Sequence, residues 1–350
     1  MPKNNNLKPV ELPMKQKWGK EVETEFKNNL DSIKVTLVQA PTLDDLRSYL
    51  PAFAHATWSD YPLEPCVEAI NESGFDATIH TDPTSKEVQD VISKAAINLD
   101  KVIYDAFTGK TLPTALETIR LTFSIEGISL QEVTHIIRYR NASFSAECSG
   151  DKWWTDKVAL VPNSVEQSDE FYERYKNLMI ETKKLYQDMI DSKKISIMDA
   201  RYILPRGLET FYFMSLSLKD AIHFIKQRID KQIQPETDNI LAYQMYQQIC
   251  EMYPLFAEVI DIRQPSWFYV KTARTGRATN LYFPDKDSDI FEWNEKDFIY
   301  QAQRNEMNGT NEGATNKFDQ YLEYYTNYFE EVRKVNREVY PFLTEEKEEK

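Results

Sequence analysis

A chain of 350 residues with 41% hydrophobic and 13% aromatic side chains can bury a large core in one domain or two, which excludes a disordered chain. Its formal charge of -14 disfavours binding to a nucleic acid polymer or an anionic membrane surface, because the long-range field repels both. An anionic ligand therefore needs a local cluster of cations.

Residues 1–32 are rich in Lys and Asn and punctuated by Pro2, Pro9 and Pro13, which predicts a polar arm lying on the surface or on a partner subunit. They hold no apolar run like a signal sequence, and no segment of the chain approaches the roughly 18 apolar residues that a membrane span needs. The three cysteines, Cys66, Cys148 and Cys250, form no CxxC pair, and the four histidines, His55, His80, His135 and His223, have no metal-ligand spacing. The expectation is a cytoplasmic protein with neither a disulfide framework nor a dedicated metal site.

The main domain is expected over 33–264. Ile33 to Gln39 alternates like a half-buried strand, and a helix follows from Thr42, with Asp44 and Asp45 as its start signal. A second helical pattern runs from Ser85 to Tyr104. RLTFSIEGIS then reads as a strand with Leu121, Phe123 and Ile125 on one face, leading into a helix over SLQEVTHIIRYR. That helix places His135 on the same face as Arg138. Phe171 to Met189 predicts an amphipathic helix with Phe171, Tyr175, Leu178, Leu185 and Met189 as its apolar stripe. LETFYFMS has the content of a strand. In the helix that follows, SLKDAIHFIKQRIDKQ, the stripe is Leu218, Ile222, Ile225 and Ile229, while Ser217 and Arg228 lie within about 20° of each other at the 3.6-residue period. Residues 265–350 form a C-terminal extension with the loop NGTNEGATN, a last helix striped by Leu322, Tyr325, Phe329, Val332 and Val339, and an acidic tail.

Arg138, Arg140, Arg201, Arg206, Lys219 and Arg228 occur in three segments beside short polar turns. Guanidinium groups donate paired hydrogen bonds to planar anions, so an anion site competes here with ordinary solvated charge. The order of the segments decides between them. RYR (138–140), CSG (148–150), ARYILP (200–205), SLK (217–219), HFIKQR (223–228) and IQPET (233–237) together resemble the flavin-dependent thymidylate synthase family across roughly 33–260.

The resemblance implies an α/β (α+β) fold with a central mixed or antiparallel sheet and helices, assembled as a homotetramer with active sites at subunit junctions. It implies methylation of a pyrimidine deoxynucleotide, dUMP to dTMP, with FAD as cofactor and NADPH and methylenetetrahydrofolate as co-substrates. Arg138, Ser149, Gly150, Arg201 and Arg228 fall at its substrate positions and Glu147 beside the nucleotide; His135, Cys148 and Lys152 complete the substrate candidates. Arg138, Tyr139, Arg140, Asn141, Ser217, Lys219, His223 and Gln232 fall on its flavin contacts. The family needs no protein nucleophile, so the chain's task is to orient the pyrimidine and stabilise developing negative charge, with Arg228 as the catalytic candidate.

Some positions depart from the family pattern. Tyr139 stands in place of a histidine, Asp151 in place of a phosphate-binding arginine, and Lys110 and Thr118 in place of upstream histidines. Lys152, shifted by one inserted residue, is the cation to replace the lost arginine. Duller roles stay open: Cys148 as a small buried residue rather than a nucleophile, Trp153 and Trp154 as packing, Glu147 as a counter-ion to Arg138 or Arg140, and His135 and His223 as ordinary helix histidines. Two rival functions also remain, modification of another pyrimidine nucleotide such as dCMP, including hydroxymethylation, and a non-catalytic nucleotide-binding relative.

Overall fold

The computed structural model describes residues 19, 21–55, 99–111, 113–229, 234–263 and 315–345. Its first elements are β1 (Phe26–Asn28), α1 (Asn29–Ser32), β2 (Lys34–Gln39), α2 (Leu43–His55) and α3 (Leu99–Thr108). There follow β3 (Arg120–Ser129), α4 (Leu130–Ile136), β4 (Ala142–Ala146), β5 (Ala159–Val161), α5 (Asn163–Glu166), α6 (Asp169–Asp191) and α7 (Ile197–Ala200). The last are β6 (Glu209–Ser217), α8 (Leu218–Arg228), α9 (Glu236–Met252), α10 (Thr315–Val339) and α11 (Phe342–Glu345). The fold is mixed α/β.

β2, β3, β6 and β4 form, in that order, a four-stranded antiparallel sheet, and β1 pairs in parallel with β5. Strand alternation sends Leu121, Phe123 and Ile125 of β3 and Tyr212, Met214 and Leu216 of β6 to one face, where all six are fully buried with Phe224 and Ile225 of α8 and Met245 and Tyr246 of α9. The other face carries Thr122, Ser143, Ser145, Phe211, Phe213 and Ser215; Phe211 and Phe213 remain exposed. α9 also covers one sheet edge. Gln244 accepts from Val35 N (2.8 Å) and donates to Ile33 O (2.9 Å), and Gln248, one turn on, accepts from Leu37 N (3.1 Å), so the outward backbone groups of β2 are satisfied.

Local signals start the two helices that frame the candidate site. Ser129 and Glu132 form a capping box on α4, and the Ser217 side chain accepts from Asp220 N at the start of α8. Both helices stop earlier than the sequence pattern predicts. α4 ends at Ile136, so Arg138 to Arg140 lie in a turn and Arg138 does not extend the helix face of His135. α8 ends at Arg228.

Other expectations need correction. The expected arm ends before residue 32, since β1 pairs with β5 and Leu30 is buried. The stripe of α6 is placed on the wrong face: Phe171, Leu178 and Leu185 are exposed, while Met179, Lys183, Tyr186, Gln187 and Ile190 are buried and Tyr175 and Met189 pack at the margin. The buried face tolerates polar residues because they are bonded, Lys183 Nζ to the carbonyls of Lys157 (2.8 Å) and Glu23 (3.3 Å), and Gln187 to Thr155 Oγ1 (2.5 Å). The expected helix over 85–104 falls outside the described residues as far as 98. In the extension, α10 packs on α9 as part of the same core: Phe318, Tyr325 and Phe329 are buried, and the Phe329 ring lies 4.2 Å from that of Tyr246. Val339, at the end of the expected stripe, is exposed. No described helix is long and apolar enough to cross a membrane.

Candidate functional site

The sequence-predicted residues form three groups around the sheet. The first lies between α4, α8 and the start of α9. Arg228 is buried at the last position of α8, and its Nη1 donates to Asp238 Oδ2 (2.8 Å) and Gln234 Oε1 (2.9 Å). His135 joins them, with Nδ1 2.9 Å from Asp238 Oδ2 and both ring nitrogens 3.2 Å from Arg228 Nη1. With Nδ1–H donating to Asp238, Nε2 is left as the ring's acceptor on the side of Arg228. Asp238 is fully buried in the first turn of α9, where the helix dipole adds to the attraction of the guanidinium. Among the described residues, Arg228 Nε and Asp238 Oδ1 are buried without a hydrogen-bond partner.

The second group sits at the far end of β4. Glu147 follows β4, and its backbone N–H donates to Phe211 O (3.2 Å). Its buried carboxylate takes Lys157 Nζ (2.6 Å) and Thr210 Oγ1 (3.1 Å) on Oε2, and Lys152 Nζ on Oε1. Burial pushes the Glu147 carboxyl up, but the hydrogen bonds from Lys152 and Lys157 outweigh it and hold the group below the usual carboxylate range. Both lysines lie over the Phe211 ring, at 5.2 Å for Lys152 and 5.7 Å for Lys157, and Lys157 also lies 5.1 Å from the Trp154 ring. Glu147 is thus the counter-ion of two lysines rather than of Arg138 or Arg140.

The Cys148–Asp151 turn continues this group. Asp151 N donates to Cys148 O (3.4 Å), Gly150 N approaches the exposed Cys148 Sγ (3.3 Å), and Ser149 is half-buried. Gly150 packs so tightly that a Cβ there would lie 3.0 Å from Arg201 Nη1 and 2.7 Å from Met198 Sδ. Gly150 and Arg201, far apart in sequence, therefore meet.

The third group lies at the other end of β4, near the start of α8. Tyr139 is buried; its hydroxyl donates to Asp220 O (2.9 Å) and lies 3.2 Å from His223 Nδ1, and its ring meets Phe224 edge-on. Burial pushes its phenol far above the usual range. This ties the RYR turn to the first turn of α8 and leaves Arg138, Arg140, Asn141 and His223 exposed around it. Lys219 pairs with Glu117, and the buried Ser217 caps α8 and donates to Asp220 Oδ2 (2.6 Å). Tyr139 and Ser217 are occupied within the chain's own structure. Gln232 lies outside the described residues.

Within one chain Arg228 lies with His135 and Asp238, Arg201 lies beside Gly150, and Arg138 is exposed in the turn after α4. Arg228 lies near Tyr212 on the packed side of β6, whereas the Glu147 cluster sits at the start of that strand, its lysines over the open-side Phe211 and its carboxylate also held by Thr210. The five residues of β4 separate the RYR turn from Glu147 by about 17 Å at the usual rise. Sequence reading missed Asp238, Lys157 and Phe211. Lys157 had a local signal, being five residues beyond Lys152 near the same turn. Asp238 directly follows the IQPET string, but pairing across the ten residues from Arg228 has no local periodicity to mark it.

Among known proteins, a family model described as "Thymidylate synthase complementing protein" matches residues 69–255. A flavin-dependent thymidylate synthase of Pyrococcus furiosus is 29% identical over 140 residues, 39% of this chain and 57% of that protein. The one from Thermococcus onnurineus is 30% identical over 140 residues, 39% and 56%. The chain thus spans less than two thirds of the length of these relatives. Among solved structures, a UMP/dUMP methylase from Streptomyces cacaoi bound with 5-Br dUMP aligns at 16% identity and a TM-score of 0.48, over 67% of this chain and 96% of that one.

Proposed function

This chain belongs to the thymidylate synthase complementing protein family, and from that premise we propose that it is a flavin-dependent methyltransferase converting a deoxyuridine nucleotide, dUMP, to its C5-methyl product. The single observation that carries the reading is the family match over 69–255, a span containing all three side-chain groups.

The exposed Arg138, Arg140, Asn141 and His223, with Lys219 beside them, suit a cofactor with a pyrophosphate, since they concentrate positive charge on an otherwise acidic protein. These residues would hold FAD, and the buried Tyr139 would fix the turn that presents them. The bound flavin supplies the hydride of the reaction, with NADPH as reductant and methylenetetrahydrofolate as carbon donor. The chain's own task is binding and charge. Arg201 with Gly150, Ser149 and Lys152 would bind the nucleotide. Arg228 would stabilise negative charge on the pyrimidine, with Nε the donor left unused inside the chain. Because the Glu147 group and the turn of Arg138 to Arg140 stand at opposite ends of β4, the reading calls for a homotetramer in which neighbouring chains complete each site.

A second reading changes the nucleotide, for instance to dCMP, or the product to a hydroxymethyl group. It is favoured by Asp151, exposed in the turn, whose charge would repel a phosphate placed as in the family. The test is flavin absorbance after adding FAD, followed by tritium release from C5-labelled dUMP and dCMP. Release from dUMP is expected; release from dCMP alone selects the second reading, and a protein that takes up no flavin refutes both.

A further inference from the structure

We propose that Lys157 is a positioning residue that lets Lys152 act as an exchangeable latch, leaving Glu147 for the phosphomonoester of the bound nucleotide. This rests on the pyrimidine-nucleotide reading above and assigns the anion specificity of that site.

Two ammonium groups share one carboxylate, so the cluster carries one positive charge in excess. The lysines differ in freedom. Both lie over Phe211, but the side chain of Lys157 is 20% exposed and also lies against Trp154, while that of Lys152 is 49% exposed. Glu147, at 1% side-chain exposure, would be an uncompensated buried charge if its only cation left it. Lys157 and Thr210 remain on Oε2 when Lys152 departs, so the carboxylate keeps a cation and a hydroxyl donor. Lys152 is then free for an incoming oxyanion beside the turn where Arg201 meets Gly150. The same turn bears Asp151, whose charge opposes a phosphate arriving there, and a freed Lys152 would offset it.

The test compares binding of dUMP and deoxyuridine by titration calorimetry, so that the ratio of affinities isolates the phosphate. In the wild-type protein dUMP is expected to bind more tightly. Lys152→Met should cut that ratio by roughly tenfold or more, the scale of one charge-assisted hydrogen bond. Lys157→Met should cut it comparably by locking Lys152 onto Glu147, and adding Glu147→Gln to Lys157→Met should restore it. Glu147→Gln alone should raise the ratio, which keeps the proposal testable if Lys157→Met does not fold. An unchanged ratio in Lys157→Met, no rescue in the double variant, or no rise in Glu147→Gln overturns the latch. If the wild-type protein binds none of dUMP, UMP and dCMP, the nucleotide reading itself fails.

Discussion

Replacing Asp238 by Asn removes the charge facing Arg228 while keeping size and one acceptor oxygen. The pair is shielded from water, with side-chain exposures of 8% for Arg228 and 0% for Asp238. Removing one partner of such a pair costs about 3–5 kcal/mol, because a buried charge is left without its counter-ion. Asn can still accept from Arg228 Nη1 and from His135, which places the expected loss near the lower end, about 3 kcal/mol. Against a total stability of about 5–15 kcal/mol this is a large share. With an m-value of about 3 kcal/mol/M the urea midpoint should fall by about 1 M. Urea unfolding followed by circular dichroism, on wild type, Asp238→Asn, Asp238→Leu, Arg228→Leu and the Arg228→Leu/Asp238→Leu double variant, completes the comparison. The double variant should lose much less than the sum of the two single leucine losses, since apolar groups of similar volume replace a buried ion pair at little cost. A loss below about 1 kcal/mol in Asp238→Asn, or strictly additive losses, would show that Arg228 is not held as described.

Phe329→Ala should destabilise the whole domain by about 3–5 kcal/mol, since its ring is 1% exposed and stacked near Tyr246 in the common core. One cooperative transition shifted to lower urea is expected; a separate early transition, with the rest unaffected, would mean that α10 folds apart from the sheet. The depressed Glu147 carboxyl predicts a pH effect of definite sign. Its ionised form is favoured in the folded state, so its stabilisation is present above the ordinary carboxylate value of 4.5 and is lost as pH falls through the lower folded value. The stability gap between wild type and Glu147→Gln should therefore be constant from pH 7 to 6 and shrink below pH 4.5; a gap that widens on acidification would contradict the lysine contacts.

Local signals in the sequence were enough to place β2, β3 and β6, to start α4 and α8 at Ser129 and Ser217, and to mark the burial of Leu218, Ile225 and Ile229. These features depend on alternation and capping, which act within a few residues. The order of RYR, CSG, ARYILP and HFIKQR likewise carried the family, because each is a short contiguous string.

Only the tertiary structure decided which face of α6 is inside, since apolar residues occupy both faces and the buried one hides Lys183 and Gln187 behind long-range hydrogen bonds. It alone gave Arg228 the partner Asp238 and gave Glu147 its two lysines. The physical reason is that charge pairing and close approach, as of Arg201 to Gly150, are settled by distance in space. Periodicity along the chain carries no information about that distance.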